Sequence, residues 1–167
     1  MYDRLTASDI KKMEEEIEYR KLTLRPELIE DVKETRAHGD LSENFEYHAA
    51  KRAKNKNESR IRYLDRMIKT ARVIEDNSAD DEVGINNLVT VLFEDDNTTE
   101  TYKIVTSIRS DSLNNMITIE SPLGKALLKH KTGDRVEVKV SESVSYYIVI
   151  QKIENNKDDS EDRIRGY

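Results

Sequence analysis

The chain has 167 residues, 36% of them hydrophobic and 37% charged, with a net charge of −6, no Cys, no Trp and three scattered His. The absence of cysteine excludes a disulfide scaffold, a thiolate metal site and a cysteine nucleophile, and a net-acidic chain is a poor candidate for free DNA binding. The length suits one domain or two small ones, and without a signal-peptide core or an apolar run of roughly 20 residues the chain is expected to be soluble and cytoplasmic, with no membrane partner.

From Ile10 the apolar positions run Ile10, Met13, Ile17, Leu24, Leu28 and Val32, a helical stripe close to a heptad. Thr6-Ala7-Ser8-Asp9 in front of it has the form of a capping box with Asp in the place of Glu. Pro26 falls inside the run and predicts a kink or a local break. A second stripe follows at Tyr47, Ala50, Lys54, Asn57, Ile61, Leu64, Ile68 and Ala71, in alternating steps of 3 and 4. Each stripe is narrow and wet on three sides. Two such helices joined at His38-Gly39-Asp40 describe an antiparallel coiled-coil hairpin over residues 1–75, with Gly39 supplying a left-handed turn. At 1.5 Å per residue the arms reach on the order of 45 Å.

The pattern changes after Ile74. An acidic linker at 76–84 leads to short alternating runs at Leu88–Phe93, Thr101–Ser107, Met116–Glu120, Arg135–Val140 and Tyr146–Ile153, which predict a small antiparallel sheet over 85–153. Ser121-Pro122-Leu123-Gly124-Lys125-Ala126-Leu127-Leu128 interrupts them with an N-cap Ser and Pro at the first helical position, and predicts one short helix. Residues 154–167 are almost wholly polar and are expected to form a disordered acidic tail. The fold class is therefore α+β.

The distinctive residues gather at the hairpin tip, near 38–46. Asp40 and Glu43 are three apart, ionised at neutral pH, and offer oxygens that suit a hard cation such as Mg²⁺. The same spacing is also that of a capping box, which is its commoner meaning, and the two roles are compatible. Phe45 and Tyr47 read as packing residues, although an exposed aromatic there could stack on a base. Residues 51–72 carry nine bases against two acids, while 9–34 carry nine acids against six bases. Such a basic face is usually only solvated; next to an acidic tip it can also attract phosphate.

The run Leu24-Arg25-Pro26-Glu27-Leu28-Ile29, followed by Arg36-Ala37-His38-Gly39-Asp40-Leu41-Ser42-Glu43-Asn44-Phe45-Glu46-Tyr47-His48-Ala49-Ala50-Lys51, resembles the signature of the bacterial transcript cleavage factors of the Gre family. Ile119–Leu128, Gly133-Asp134 and Val136-Glu137-Val138 are similar to that family's C-terminal domain. The resemblance spans roughly residues 2–153. It implies a coiled-coil hairpin followed by a domain like the FK506-binding proteins (FKBP-like), whose fold alone does not imply isomerase activity. It further implies an accessory factor, not itself an enzyme, which binds bacterial RNA polymerase and passes its coiled coil down the secondary channel. There Asp40 and Glu43 would help hold the second catalytic Mg²⁺, shared with the polymerase and not bound stably by the factor alone. The polymerase would then cut the 3′ end of backtracked nascent RNA. Ser121 and Pro122 would lie near the polymerase contact, and Lys51, Arg52, Lys54 and Lys56 on the basic arm would pair with RNA phosphates. A monomer is expected. The alternative is a channel-occupying regulator that binds polymerase without promoting cleavage; such paralogues alter the acidic tip, which is intact here. Three positions depart from the family pattern: Phe45 where a small residue is common, Ser59 in place of a glycine, and Ser141–Ser145 without a Pro/Gly turn.

Overall fold

A computed structural model describes residues 2–39 and 44–166, so Asp40, Leu41, Ser42 and Glu43 lie outside the described residues. The chain divides into two compact units, one of residues 1–3 and 10–71, the other of residues 4–9 and 72–167. No helix among the described residues is long and apolar enough to cross a membrane.

The first unit is a helical hairpin. Its first arm comprises α1 (Ala7–Tyr19), a π-helical turn at Arg20–Leu24 and α2 (Arg25–Arg36). Pro26 explains the π turn. It has no N–H to give, and its ring crowds the carbonyl four residues back, at Leu22. The chain widens by one residue per turn instead of breaking, so that the Arg25 N–H reaches the Arg20 carbonyl. The second arm is one continuous helix, α3 (Phe45–Thr70), of 26 residues, about 39 Å long. Tyr47, Asn57, Ile61 and Leu64 of its heptad stripe are buried.

Polar pairs set the register between the arms. Arg60 donates from Nε and Nη2 to the two oxygens of Glu16 at 2.9 and 3.2 Å, and Arg20 Nε donates to the same carboxylate at 2.8 Å. Asn57, a polar residue in an otherwise apolar seam, accepts from Arg20 Nη1 at 2.9 Å and donates to the Arg20 carbonyl at 3.3 Å. That carbonyl belongs to the π turn, so the seam's amide answers the backbone irregularity opposite it. Arg25 grips Glu58 with two bonds, at 2.7 and 2.9 Å. From Glu16 with Arg60 to Thr35 with Asn44 the partner falls along the second arm as the position rises on the first, which defines an antiparallel pair.

The second unit is built on a five-stranded sheet. Its strands are β3 (Leu88–Phe93), β4 (Thr98–Val105), β5 (Met116–Thr118), β6 (Arg135–Lys139) and β7 (Ser145–Glu154), in the spatial order β5-β4-β3-β7-β6. All neighbours are antiparallel except β4 and β5, which run parallel. The expected antiparallel sheet thus carries one parallel edge, because the chain between β4 and β5 makes two 3₁₀ turns and re-enters in the same direction. Alternate residues of the strands (Val89, Val91, Ile104, Val136, Val138, Ile148, Ile150) pack with Leu123 and Leu127 of α4 (Pro122–Leu127). A separate two-residue pairing, β1 (Arg4–Leu5) beside β2 (Arg72–Val73), runs parallel and brings residues 4–9 into this unit. The serine-rich turn before β7 closes without Pro or Gly: Val140 and Ser141 both donate to the Val144 carbonyl, and Ser141 Oγ accepts from the Val144 N–H.

The C-terminal segment contacts the second unit through Asp162 and Arg165. Arg109 and Asp9 have no exposed side-chain surface and are joined by a 2.6 Å bond from Nε to Oδ1. The same Arg109 donates from Nη1 to Asn86 at 2.6 Å and to Asp162 of the tail at 2.8 Å. Lys103 Nζ adds a 2.8 Å bond to the other Asp162 oxygen, and the Arg165 N–H donates to the Ile108 carbonyl. Two cations and two anions therefore neutralise one another in a dry place. Composition suggests a solvated tail; its Asp162 nevertheless has a buried partner in Arg109.

Two outcomes follow from these contacts. Asp162→Ala leaves Arg109 buried with one carboxylate fewer, so the variant is expected to lose about 3 kcal/mol, read as a lower Tm of the second unit by calorimetry. In the hairpin, burial opposes ionisation of Glu16, but the bonds from Arg60 and Arg20 outweigh it and hold its carboxyl below the usual range. The bond from Arg25 likewise lowers Glu58. A carboxyl whose pKa is lowered by folding contributes stability above its unfolded value, near 4.3, and loses it as pH falls through the folded value. The hairpin's thermal stability, followed by circular dichroism, is therefore expected to be flat above about pH 5 and to fall below pH 4; a profile flat down to pH 2 would contradict the assignment.

Candidate functional site

The tip is held by one side chain that the sequence reading did not single out. Asn44 is the N-cap of α3: its Oδ1 accepts from the Tyr47 N–H at 3.0 Å, and its Nδ2 donates to the Thr35 carbonyl of α2 at 2.6 Å. One amide therefore caps the second arm and fastens it to the last turns of the first. The signal for it was present, since Asn is among the best capping residues, but Asp40 three residues before Glu43 offered a competing match. Arg36 lies over the Tyr47 ring, 5.7 Å from its centroid, and its Nη2 is 3.5 Å from the phenol oxygen. His38 Nδ1 stands 3.6 Å from the Glu46 carboxylate. Gly39 has φ +119°, a conformation that a residue with a Cβ adopts only under strain.

Asp40 and Glu43 lie outside the described residues, so their geometry carries nothing here. The described neighbours narrow one question all the same. The N-cap of α3 is Asn44, whose Oδ1 accepts from the Tyr47 N–H. Phe45, the first residue of α3, is 84% exposed. It is not a packing residue.

On the basic arm, Lys51, Arg52 and Lys56 are exposed and Lys54 is half-buried. Further from the tip, Arg60 is buried against Glu16, Arg62 donates to Ser59 and Lys69 pairs with Asp65. Arg62, Arg66, Lys69 and Arg72 are exposed as well, so outward-facing charge runs the length of the arm, while Arg60 serves the hairpin itself.

Ser121 and Pro122 open α4. Ser121 Oγ accepts from the Gly124 N–H at 3.0 Å and donates to the Thr118 carbonyl at 2.8 Å, so the hydroxyl is spent locally. Pro122 is exposed at the first helical position. Gly124 is obligatory: a Cβ there would stand 1.9 Å from the Thr118 carbonyl oxygen. Beside this turn lies a shallow depression whose floor includes Leu113, Met116 and Ile117 and whose rim carries Asp111 and Arg165, with Leu113 almost fully exposed.

Comparison with known proteins identifies the whole arrangement. Residues 4–73 match the family described as "Transcription elongation factor, N-terminal", and residues 77–155 match "Transcription elongation factor, GreA/GreB, C-term". A transcription elongation factor GreA of Caldanaerobacter subterraneus subsp. tengcongensis is 45% identical over 141 residues, covering 84% of this chain and 90% of that protein. The GreA of Thermoanaerobacter pseudethanolicus is 47% identical over 137 residues, covering 81% and 87%. A solved structure of Gfh1 from Thermus thermophilus aligns over 92% of this chain and 99% of that one, at 20% identity and a TM-score of 0.42. The two family matches and the sequence relatives suffice: the chain belongs to the GreA/GreB family of transcription elongation factors.

If Asn44 is the tip's fastener, Asn44→Ala should cost about 1 kcal/mol locally. Amide exchange at Tyr47 would then accelerate about fivefold, while exchange in the second unit stays unchanged. Equal acceleration in both units would contradict the assignment.

Proposed function

We propose that this elongation factor binds bacterial RNA polymerase, inserts its hairpin into the secondary channel, and stimulates cleavage of the 3′ end of backtracked nascent RNA through Asp40 and Glu43. The supporting observation is the family match over residues 4–73, which includes Asp40 and Glu43, on a chain whose second helical arm, α3, runs for 26 residues. Two carboxylates just before the start of that arm in sequence are suited to a visiting cation.

The chain's residues divide the work. Asp40 and Glu43 supply hard, anionic oxygens, which is the donor chemistry that Mg²⁺ selects. When bound between the factor and the polymerase centre, that ion supplies charge stabilisation to the attacking and leaving oxygens and acidifies its water. Asn44, Tyr47 and Arg36 hold the end of the arm on which the acids are carried. Lys51, Arg52, Lys54 and Lys56 lie on the same arm, within about 20 Å of its start, and pair with phosphates of the extruded strand. The long α3 gives the reach that a globular domain lacks. In the second unit, exposed Pro122 and the depression beside it form the polymerase-facing surface, while Ser121 shapes that surface as a cap.

Asp40→Asn and Glu43→Gln each remove one anionic charge with little change of volume. Each is expected to abolish stimulated cleavage in backtracked complexes while polymerase binding persists, measured by RNA product length and by co-elution with polymerase. Wild-type stimulation by both variants would refute the proposal.

A further inference from the structure

Phe45 has no part in the roles above, and its setting is unusual. A single exposed apolar residue needs no explanation by itself. This one is the first residue of α3, with 84% of its surface exposed. Its backbone is fixed by a cap that also ties the two arms together: Asn44 accepts from Tyr47 and donates to Thr35. A flat aromatic ring on a rigid turn is a stacking platform.

The cations complete the picture. At 100° per residue, Phe45, Ala49, Arg52 and Lys56 fall within about 60° of arc on one helical face, and all four are exposed. Arg52 lies about 10 Å and Lys56 about 16 Å along the helix from the ring. An aromatic surface at one end of a cationic ridge is the combination that binds single-stranded nucleic acid without sequence preference: bases stack, and phosphates meet the positive charges. The ridge runs away from the tip. It therefore follows the piece of strand that leaves a centre at the tip, not the piece that stays.

We infer that Phe45 stacks on the base immediately 3′ of the scissile phosphodiester in the backtracked RNA, with Arg52 and Lys56 taking the phosphates beyond it. The inference rests on the proposed cleavage role and adds a substrate contact to it. Stacking on every base alike, the ring confers affinity for the extruded nucleotide without choosing a sequence.

The test is a cycle of two changes, using the full-length factor at saturating concentration on backtracked bacterial elongation complexes. One change is Phe45→Ala; the other removes the base 3′ of the cleavage site, leaving an abasic ribose. On intact RNA, Phe45→Ala is expected to slow stimulated cleavage about fivefold or more, and Phe45→Trp to keep the wild-type rate. On abasic RNA, wild type and Phe45→Ala should be equal, because the partner of the ring is already gone. Phe45→Ala at wild-type rate on intact RNA overturns the inference. So does the same fold-loss on both RNAs, which would place the ring against polymerase protein. Asp40→Asn serves as the control for the underlying role: if it cleaves normally, the cleavage role has failed, whereas an inactive Asp40→Asn beside an unaffected Phe45→Ala removes only the stacking contact.

Discussion

The hairpin depends on the Glu16 carboxylate, which holds Arg60 from the opposite arm and Arg20 from its own, with Asn57 closing the group onto the π turn. Two narrow apolar stripes could slide past one another by a heptad and still bury Ile61 and Leu64 against something greasy. Such a slip would separate the buried guanidinium of Arg60 from Glu16 and the amide of Asn57 from Arg20. A broken buried pair costs several kcal/mol, so one register wins. That register sets Asn44 opposite Thr35, and the cap at the tip follows from it. Polar residues in the seam weaken the hairpin's core and in return fix where its end stands.

The second unit uses the same device at its centre. Arg109 is enclosed by Asp9, Asn86 and Asp162, three residues far apart in sequence. Aliphatic strands supply most of the burial, but they do not specify where residues 4–9 or the tail should rest. The charge cluster does, since only the joint presence of two carboxylates makes the buried guanidinium tolerable.

Periodicity made the regular parts legible. The alternating steps of 3 and 4 gave α3, and Ser121-Pro122 gave the start of α4, because both signals are local. The misses are long-range. Asp9 looked like an ordinary capping residue; it does cap, bonding with Thr6, and it also binds Arg109, 100 residues away. Arg60 looked like one more base of a phosphate-attracting stripe, since nothing in its neighbourhood announces Glu16 on another helix. The tail's polarity concealed Asp162, whose partners no local window contains. The parallel β5 edge depends on two 3₁₀ turns, too short to leave a period. At the tip, Asp40 and Glu43 matched a capping pattern, whereas the N-cap of α3 is Asn44, and Phe45 was legible only as an aromatic until its exposure showed which way it faces.

The proposed function is a division of labour, in which one unit docks on the polymerase and the hairpin delivers charge to a place that a globule cannot enter. The central claim is that the tip carboxylates help hold a metal ion in the polymerase centre. The most direct measurement is the Mg²⁺ dependence of transcript cleavage, with and without the factor. Sharing of the ion predicts that wild-type factor lowers the half-saturating Mg²⁺ concentration and that the shift vanishes when both carboxylates are neutralised. An unchanged half-saturating concentration, with only the maximal rate raised, would contradict it.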